Sequence, residues 1–421
     1  VSQCHPSIAR TKGHKALRLG WNQTLARRLI LRLLSQIEMG CLRLHQGDER
    51  YEFGQAPEDT DLVADLHVHD PKAYTEVAFG GALGSGEAYM SGYWSTPNLT
   101  QVTRIFVRNQ KVLEAMGERQ SVIGKILLKL FHRFNRNSKE GAKRNVAAHY
   151  DLGNDFFKLF LDPSMMYSSA VYPSPETSLA EAAEYKLKRI CDKLELGPKD
   201  HLLEIGTGWG GLAVYAARHY GCKVTTTTIS RAQWEQARKA VLEAGLEDRV
   251  TLLMDDYRDL SGRYNKLVSV EMIEAVGHEH FDAYFRRCSE LLTDDGLMLL
   301  QAITIRDQRY ARARQRVDFI QRYIFPGGSL PSVSLMTDLM RRFTDMSLLH
   351  MEDIGQHYAR TLRDWRLAFE ARLDKVRAMQ FDERFIRMWQ YYLCYCEGGF
   401  MERSIGTAQL LMAKPHYRPT F

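Results

Sequence analysis

The residues best suited to chemistry lie in the stretch His201-Leu202-Leu203-Glu204-Ile205-Gly206-Thr207-Gly208-Trp209-Gly210-Gly211, where a short apolar run meets a glycine cluster. A helical pattern from Leu212 to Tyr220 follows, so the stretch reads as strand, tight turn and helix. Glycine lets a ligand approach the backbone closely, and the start of the helix offers unpaired N–H groups. A nucleotide-like ligand is implied. Gly206, Gly208 and Gly211 also satisfy the dinucleotide pattern, so the glycines alone do not separate a nicotinamide cofactor from S-adenosylmethionine. A nicotinamide site expects a ribose-binding acid about 20 residues further on. Here the next apolar run, Lys223 to Ser230, ends in the hydroxyls of Thr228 and Ser230, with Gln233 one turn into the next helix. The acid stands before the turn, as Glu204, and a second acidic pair, Asp255-Asp256, closes the third apolar run. That arrangement suits an adenosyl ligand carrying an amino acid, and S-adenosylmethionine is the expected cofactor. No metal site is expected.

These residues need a frame that brings them together. Strand-like runs Val250 to Met254, Lys266 to Val270 and Leu297 to Ile303 follow the turn, separated by helical patterns at Arg231 to Ala244 and His280 to Leu292. Late runs at Met346 to Ile354 and Gln409 to Ala413 can complete a sheet. Repeated β-α units predict an α/β fold with a doubly wound, mostly parallel Rossmann-like sheet. Its ligand belongs beyond the carboxyl ends of the strands, where Glu204, Ser230, Asp256, Glu274 and Gln301 are expected to gather.

With 421 residues, 45% of them apolar, the chain can build one large domain and a smaller companion. The formal net charge of +6 is modest, so any role for charge must come from local clustering. Seven cysteines at irregular positions form no CxxC pair, and a reduced, intracellular protein is expected. No stretch has the length of a signal peptide's apolar region or approaches the roughly 18 apolar residues of a membrane span.

Residues up to about Arg18 are polar and basic, as in a mobile tail. An amphipathic helix is predicted from Thr24 to Glu38, then a small sheet from runs near Cys41 to Leu44, Tyr51 to Phe53 and Leu62 to Val68, then a helix rich in small residues from Tyr74 to Tyr93. This reads as a smaller N-terminal α+β domain, residues 1–120. Between Ser121 and Asn145, apolar residues at helical spacing accompany Lys125, Lys129, Arg133, Arg136, Lys139, Lys143 and Arg144, opposed only by Glu140. Such a basic amphipathic linker, residues 121–144, is drawn to an anionic membrane, each near-surface cation contributing about 1 kcal/mol. Nucleic acid is not the expected partner, because no base-reading module is present. The catalytic part is expected to run from 145 to 421.

From Asn145 onward the chain resembles the cyclopropane fatty-acid synthase family, class I S-adenosylmethionine-dependent enzymes that act on unsaturated acyl chains. The resemblance rests on His149-Tyr150-Asp151-Leu152 with Asp155-Phe156-Phe157, on Tyr167-Ser168, on the glycine turn and on Val224 through Ser230 with Gln233. It continues through Asp256-Tyr257-Arg258-Asp259, Glu271-Met272-Ile273-Glu274-Ala275-Val276-Gly277, Tyr323-Ile324-Phe325-Pro326-Gly327-Gly328, Leu330-Pro331-Ser332 and His357-Tyr358 with Thr361-Leu362. It implies a cofactor site containing Tyr167, Ser168, Gly206, Gly208, Thr228, Gln233 and Asp256, and Glu204, Gly210, Ser230 and Tyr257 are expected to join them. It also implies a bicarbonate ion held by Ser169, Glu274, Gln301, Tyr358 and the backbone of Ile303. The best-known pattern has Cys at Ser169 and His at Gln301, so loss of the imidazole bears on the final proton removal. Tyr167, Phe281, Tyr323, Phe325 and Tyr358 are candidates to stabilise a carbocation. The implied reaction is cyclopropanation of an unsaturated phospholipid at the inner face of the membrane by a peripherally bound homodimer. Alternatives are a methyl- or methylene-branching lipid methyltransferase, a small-molecule N- or O-methyltransferase, and a non-catalytic protein of lipid surfaces.

Overall fold

The computed structural model describes residues 9–10, 20–55, 62–110, 112, 141, 145 and 152–419. The chain divides into two units, Val1–Phe131 with Glu370–Ser404, and His132–Phe369 with Ile405–Phe421.

In the first unit the strands are β1 (Ala9–Arg10), β2 (Cys41–Gln46), β3 (Glu49–Phe53), β4 (Val63–Val68) and β5 (Trp94–Ser95), ordered β1-β3-β2-β4-β5. Part of the segment expected to be a mobile tail is thus paired, Ala9 with Arg50 and Arg10 with Glu49. Helices Trp21–Leu34, Lys72–Met90 and Leu99–Arg108 accompany the sheet, so the α+β reading of this part holds. The helix Glu383–Met401 also belongs to this unit, although the sequence reading carried the catalytic part unbroken to the C-terminus. The reason lies in its polar contacts. Glu397 accepts from the Thr100 hydroxyl at 3.0 Å, and Glu402 accepts from Arg104 at 2.7 Å and Arg108 at 2.6 Å. Where Gly398 passes Thr103, a Cβ would lie only 2.8 Å from the threonine methyl. The basic stretch 121–144 lies, apart from Gly141, outside the described residues, as does His149-Tyr150-Asp151.

The second unit is built on β6 (His201–Ile205), β7 (Lys223–Thr227), β8 (Val250–Leu253), β9 (Tyr264–Val270), β10 (Leu292–Ile305), β11 (Ser347–Asp353) and β12 (Ile405–Ala413). Their order is β11-β12-β10-β9-β6-β7-β8. Strands β8, β7, β6, β9 and β10 are mutually parallel, while β12 runs antiparallel to both β10 and β11. Alternation along each strand feeds two cores. Leu202, Val224, Val268 and Leu299 pack with Ile190 and Leu212, from helices Leu179–Lys193 and Gly211–Tyr220. Leu203, Leu267 and Leu300 face the other way, onto Phe285 and Met336 of helices Phe281–Leu291 and Val333–Phe343. Strand order reverses between β6 and β9, which makes their carboxyl ends the crevice for a ligand.

Candidate active site

The glycine turn leaves β6 with its first two amides tied to the neighbouring strand: Gly206 N and Thr207 N both donate to Thr227 O, at 3.1 and 3.0 Å. Gly206 and Gly210 have φ of 104° and 93°, conformations that L side chains rarely adopt. A Cβ on Gly211 would sit 2.6 Å from the Ser164 carbonyl, so the helix start and the segment leading to Tyr167 close directly on one another. Asp162 knots that segment by accepting from Ser164 N at 2.8 Å and Met166 N at 3.1 Å.

The expected cofactor residues fall into two groups around this turn. Glu204 is buried and accepts from the Thr226 hydroxyl at 2.6 Å, and burial pushes its carboxyl up to about 8. Thr228 donates to Gln233 at 2.8 Å and Ser230 caps the helix Arg231–Ala244 through Gln233 N. Asp256 is gripped by Arg258 through two guanidinium bonds of 2.7 Å, while the buried Tyr257 hydroxyl has no partner among the described residues. Ser168 accepts from Lys186 Nζ at 2.7 Å. Lys186 is wholly buried on the helix Leu179–Lys193, and burial pulls its ammonium down to about 8 against the pull of Glu271, Asp162 and Glu204. Tight positive-φ glycines, an acid at the strand end and hydroxyls at the next strand end fit S-adenosylmethionine.

Tyr167 sits within a knot of aromatic rings, with centroids 5.3 Å from Phe157, 5.2 Å from Trp365 and 6.2 Å from Phe325. Tyr358 meets Trp365 edge-on at 6.0 Å. Three of the five candidate rings are therefore brought into one cluster. Phe281 is instead in the core beneath the sheet, and Tyr323 packs on Phe319 at 5.1 Å. The apolar surroundings of Phe281 reserve it for packing.

The residues assigned to bicarbonate do come together, but around a carboxylate of the chain itself. Glu271 follows β9 with φ of 50°. One of its carboxylate oxygens accepts from Ser169 N at 2.9 Å and Gln301 Nε2 at 2.7 Å; the other accepts from the Tyr358 hydroxyl at 2.7 Å. The helix Gly355–Glu370 aligns this arrangement, since Thr361 accepts from Ala170 N at 3.1 Å and His357 from Tyr172 N at 3.2 Å. The orientation of the Gln301 amide is dictated from outside. Lys193 only donates, so its 2.6 Å bond must go to the oxygen of Gln409. The amino group of Gln409 then donates to the Gln301 oxygen at 2.9 Å, across the Gln301–Gln409 pairing of β10 and β12, which leaves the Gln301 amino group for Glu271. Lys193 is itself held at 2.6 Å by Glu352.

Glu274 stands beside this pair. One oxygen accepts from Ile303 N, and the other is buried without a partner among the described residues. Burial, then the neighbouring Glu271, pushes Glu274 up to about 8, so it is largely protonated at neutral pH. Bicarbonate therefore does not fit: three of its expected donors are spent on Glu271, and a second acid borders the same space. No step is derived through that ion. Sequence reasoning gave neither Glu271 nor Lys186 a role.

Comparison with known proteins bears on this geometry. The family model described as "Mycolic acid cyclopropane synthetase" matches residues 137–410. A tuberculostearic acid methyltransferase of Mycobacterium tuberculosis is 38% identical over 359 residues, covering 83% of each chain. The cyclopropane-fatty-acyl-phospholipid synthase of Escherichia coli (strain K12) is 37% identical over 361 residues, covering 83% of this chain and 88% of its own. A mycolic acid cyclopropane synthase crystallised with SAH and CTAB superposes with a TM-score of 0.61 at 31% identity, covering 65% of this chain and 98% of its own.

Proposed function

The chain belongs to the mycolic acid cyclopropane synthetase family of S-adenosylmethionine-dependent methyltransferases, and on that premise we propose that it transfers a methylene to the cis double bond of an unsaturated phospholipid acyl chain, giving a cyclopropane fatty acid. The observation that carries this reading is the meeting of aromatic rings and a half-buried carboxylate pair at the sheet's crossover: Tyr167, Trp365 and Tyr358 lead directly to Glu271 and Glu274. An isolated alkene is a weak nucleophile that must be held still and dry. The bound donor supplies an electrophilic methyl: the alkene's π electrons form the new C–C bond while the C–S pair stays with sulfur. Tyr167 and Phe325, both only partly buried, present electron-rich faces to the resulting carbocation without trapping it covalently. Soluble amines and phenols need no such surface.

The first unit and the basic stretch 121–144 are assigned to handling an anionic membrane that presents the acyl chain. The approach in this reading is peripheral, from the inner face, and the enzyme acts as a homodimer. Among the described residues no helix is long and apolar enough to cross a membrane. A second reading, a methyl or methylene branch in place of the ring, is favoured by the tuberculostearic acid methyltransferase, which is as similar to this chain as the synthase. Incubation with methyl-labelled donor and unsaturated phospholipid vesicles decides between them. Mass spectrometry with hydrogen count and fragmentation is expected to show one added CH2 closed into a ring. Lipid left unlabelled, with label entering soluble amines, refutes the proposal.

A further inference from the structure

We infer that Glu271 is the built-in base of this enzyme: its carboxylate occupies the place that the family resemblance gives to bicarbonate, and it takes the proton lost from the added carbon. This rests on the reading of the chain as an alkene methyltransferase. After methyl transfer, a C–H bond of the new methyl breaks, its electron pair forms the third C–C bond of the ring, and the proton passes to Glu271, which later releases it to water. No oxidant or further reactant is needed.

Three observations carry the inference. First, the donors converge. The Ser169 amide, the Gln301 amino group and the Tyr358 hydroxyl come from three separate segments and end on one carboxylate, at 2.9, 2.7 and 2.7 Å. They would equally fit the oxygens of a small planar anion, and they are already taken. Second, the donor array is enforced at a distance. The Lys193–Gln409–Gln301 chain orients an amide that could otherwise present its oxygen, so a donor is aimed at Glu271 and, with Ser169 and Tyr358, works against the burial that pushes its carboxyl above the ordinary carboxylate range. The buried ammonium of Lys186 also favours the charged form. Third, the backbone at Glu271 adopts φ of 50°, a conformation that favours glycine and costs a larger residue about 1 kcal/mol or more. A side chain kept there against local preference implies that the side chain itself is required.

Glu274 is the rival base and is less suited. It accepts from the Ile303 amide, its other oxygen has no partner among the described residues, and it is held mainly neutral by burial and by Glu271. Two close carboxyls with unlike surroundings divide into an anion and an acid. Glu271, with three donors and a nearby cation, is the anion.

The test uses the full chain in CO2-free buffer with S-adenosylmethionine and unsaturated phospholipid vesicles, bicarbonate being added in steps. Wild-type turnover is expected to be independent of bicarbonate. Glu271→Gln keeps the shape and can still accept from Ser169 and Gln301, while Tyr358 turns to accept from its amide; it should fold and bind donor normally yet lose about 100-fold or more in kcat. Glu271→Gly relieves the positive φ and vacates the anion position, so it should become bicarbonate-dependent. Binding of 13C-bicarbonate, followed by NMR in the absence of lipid, should be absent in wild type and present in Glu271→Gly. Wild-type dependence on bicarbonate, bicarbonate bound to wild type, or full activity of Glu271→Gln without bicarbonate would each overturn the assignment. Failure of wild type to modify any lipid would instead sink the proposed function, and the lipid-free binding measurement would still judge the site.

Discussion

Replacing Gln409 with glutamate tests whether the remote end of the hydrogen-bonded chain controls the base. The substitution is nearly isosteric, but a carboxylate at position 409 can accept from Lys193 and can no longer donate to Gln301. Gln301 is fully buried, so its amide must rotate to give its amino group to the new carboxylate, turning its oxygen toward Glu271. Glu271 then loses one of three donors and faces an oxygen in its place. A hydrogen bond to a charged group contributes about 1.5–3 kcal/mol, equivalent to roughly 10- to 100-fold. The loss falls on the ionised form, so protonation of Glu271 is favoured and a higher pH is needed to ionise it. Its other charged or titratable neighbours, Lys186, Glu274 and Tyr358, are unchanged. The acid limb of the pH–kcat profile should therefore move to higher pH, with kcat about 10- to 100-fold lower at its acid end, the gap closing at alkaline pH and donor KM unaltered. Gln409→Leu is the control. It leaves the Gln301 oxygen unsatisfied at a cost of about 1–3 kcal/mol in stability, but allows the amino group to remain on Glu271. Superposable profiles for wild type and Gln409→Glu would refute the coupling.

Gly211→Ala should weaken donor binding at least about tenfold and destabilise the fold by about 1–3 kcal/mol, because the new Cβ meets the Ser164 carbonyl at 2.6 Å and displaces the segment carrying Tyr167 and Ser168; unchanged affinity by calorimetry would contradict it. Binding of the cationic donor should release protons between about pH 7 and 8. Glu204, pushed up to about 8, and Lys186, pulled down to about 8, are both protonated below that value, and an added positive charge lowers both. Calorimetry in buffers of different ionisation enthalpy reads this release directly, and zero release would refute it. Glu402→Ala should cost the first unit about 3 kcal/mol, since it removes the carboxylate, only 8% exposed, that pairs with both Arg104 and Arg108. Thermal melting should register this as a drop of several degrees.

Much of the catalytic frame was legible because its signals are local. Leu202 and Leu203, or Leu267 and Val268, announce a strand buried on both faces, and the glycine cluster after Ile205 fixes where the sheet turns to bind. The aromatic positions were only partly legible. Phe281 and Tyr167 look alike in sequence, and only packing sends one into a core and the other into a ring cluster. The helix Glu383–Met401 was misplaced because its partners Thr100 and Arg104 lie nearly 300 residues away. Lys186 did carry a signal: it shares helical spacing with Ala182, Ala183, Leu187 and Ile190, an apolar face on which a lysine needs a reason. Glu271 carried another. It stands three residues before Glu274, so a second carboxyl lay beside the one assigned to the anion site.

Energetics favour a tethered carboxylate over a borrowed ion. A free anion must be captured anew, losing translational and rotational freedom each time, and its occupancy follows its concentration. A carboxylate on the chain meets that cost once, during folding, and stands at an effective concentration no dissolved ion reaches. The costs are visible in the structure: a left-handed backbone at Glu271, and a second carboxyl, Glu274, that burial and its neighbour keep mainly neutral. Both are local and of the order of a few kcal/mol. The donors needed to hold the anion do not have to be invented, because the amide of residue 169, the side chain at 301 and the Tyr358 hydroxyl serve either anion. What must change is the partner at 301. An imidazole can lose its proton and leave the carboxylate unsupported, whereas the Gln301 amide, oriented by Gln409 and Lys193, donates at every pH the enzyme meets.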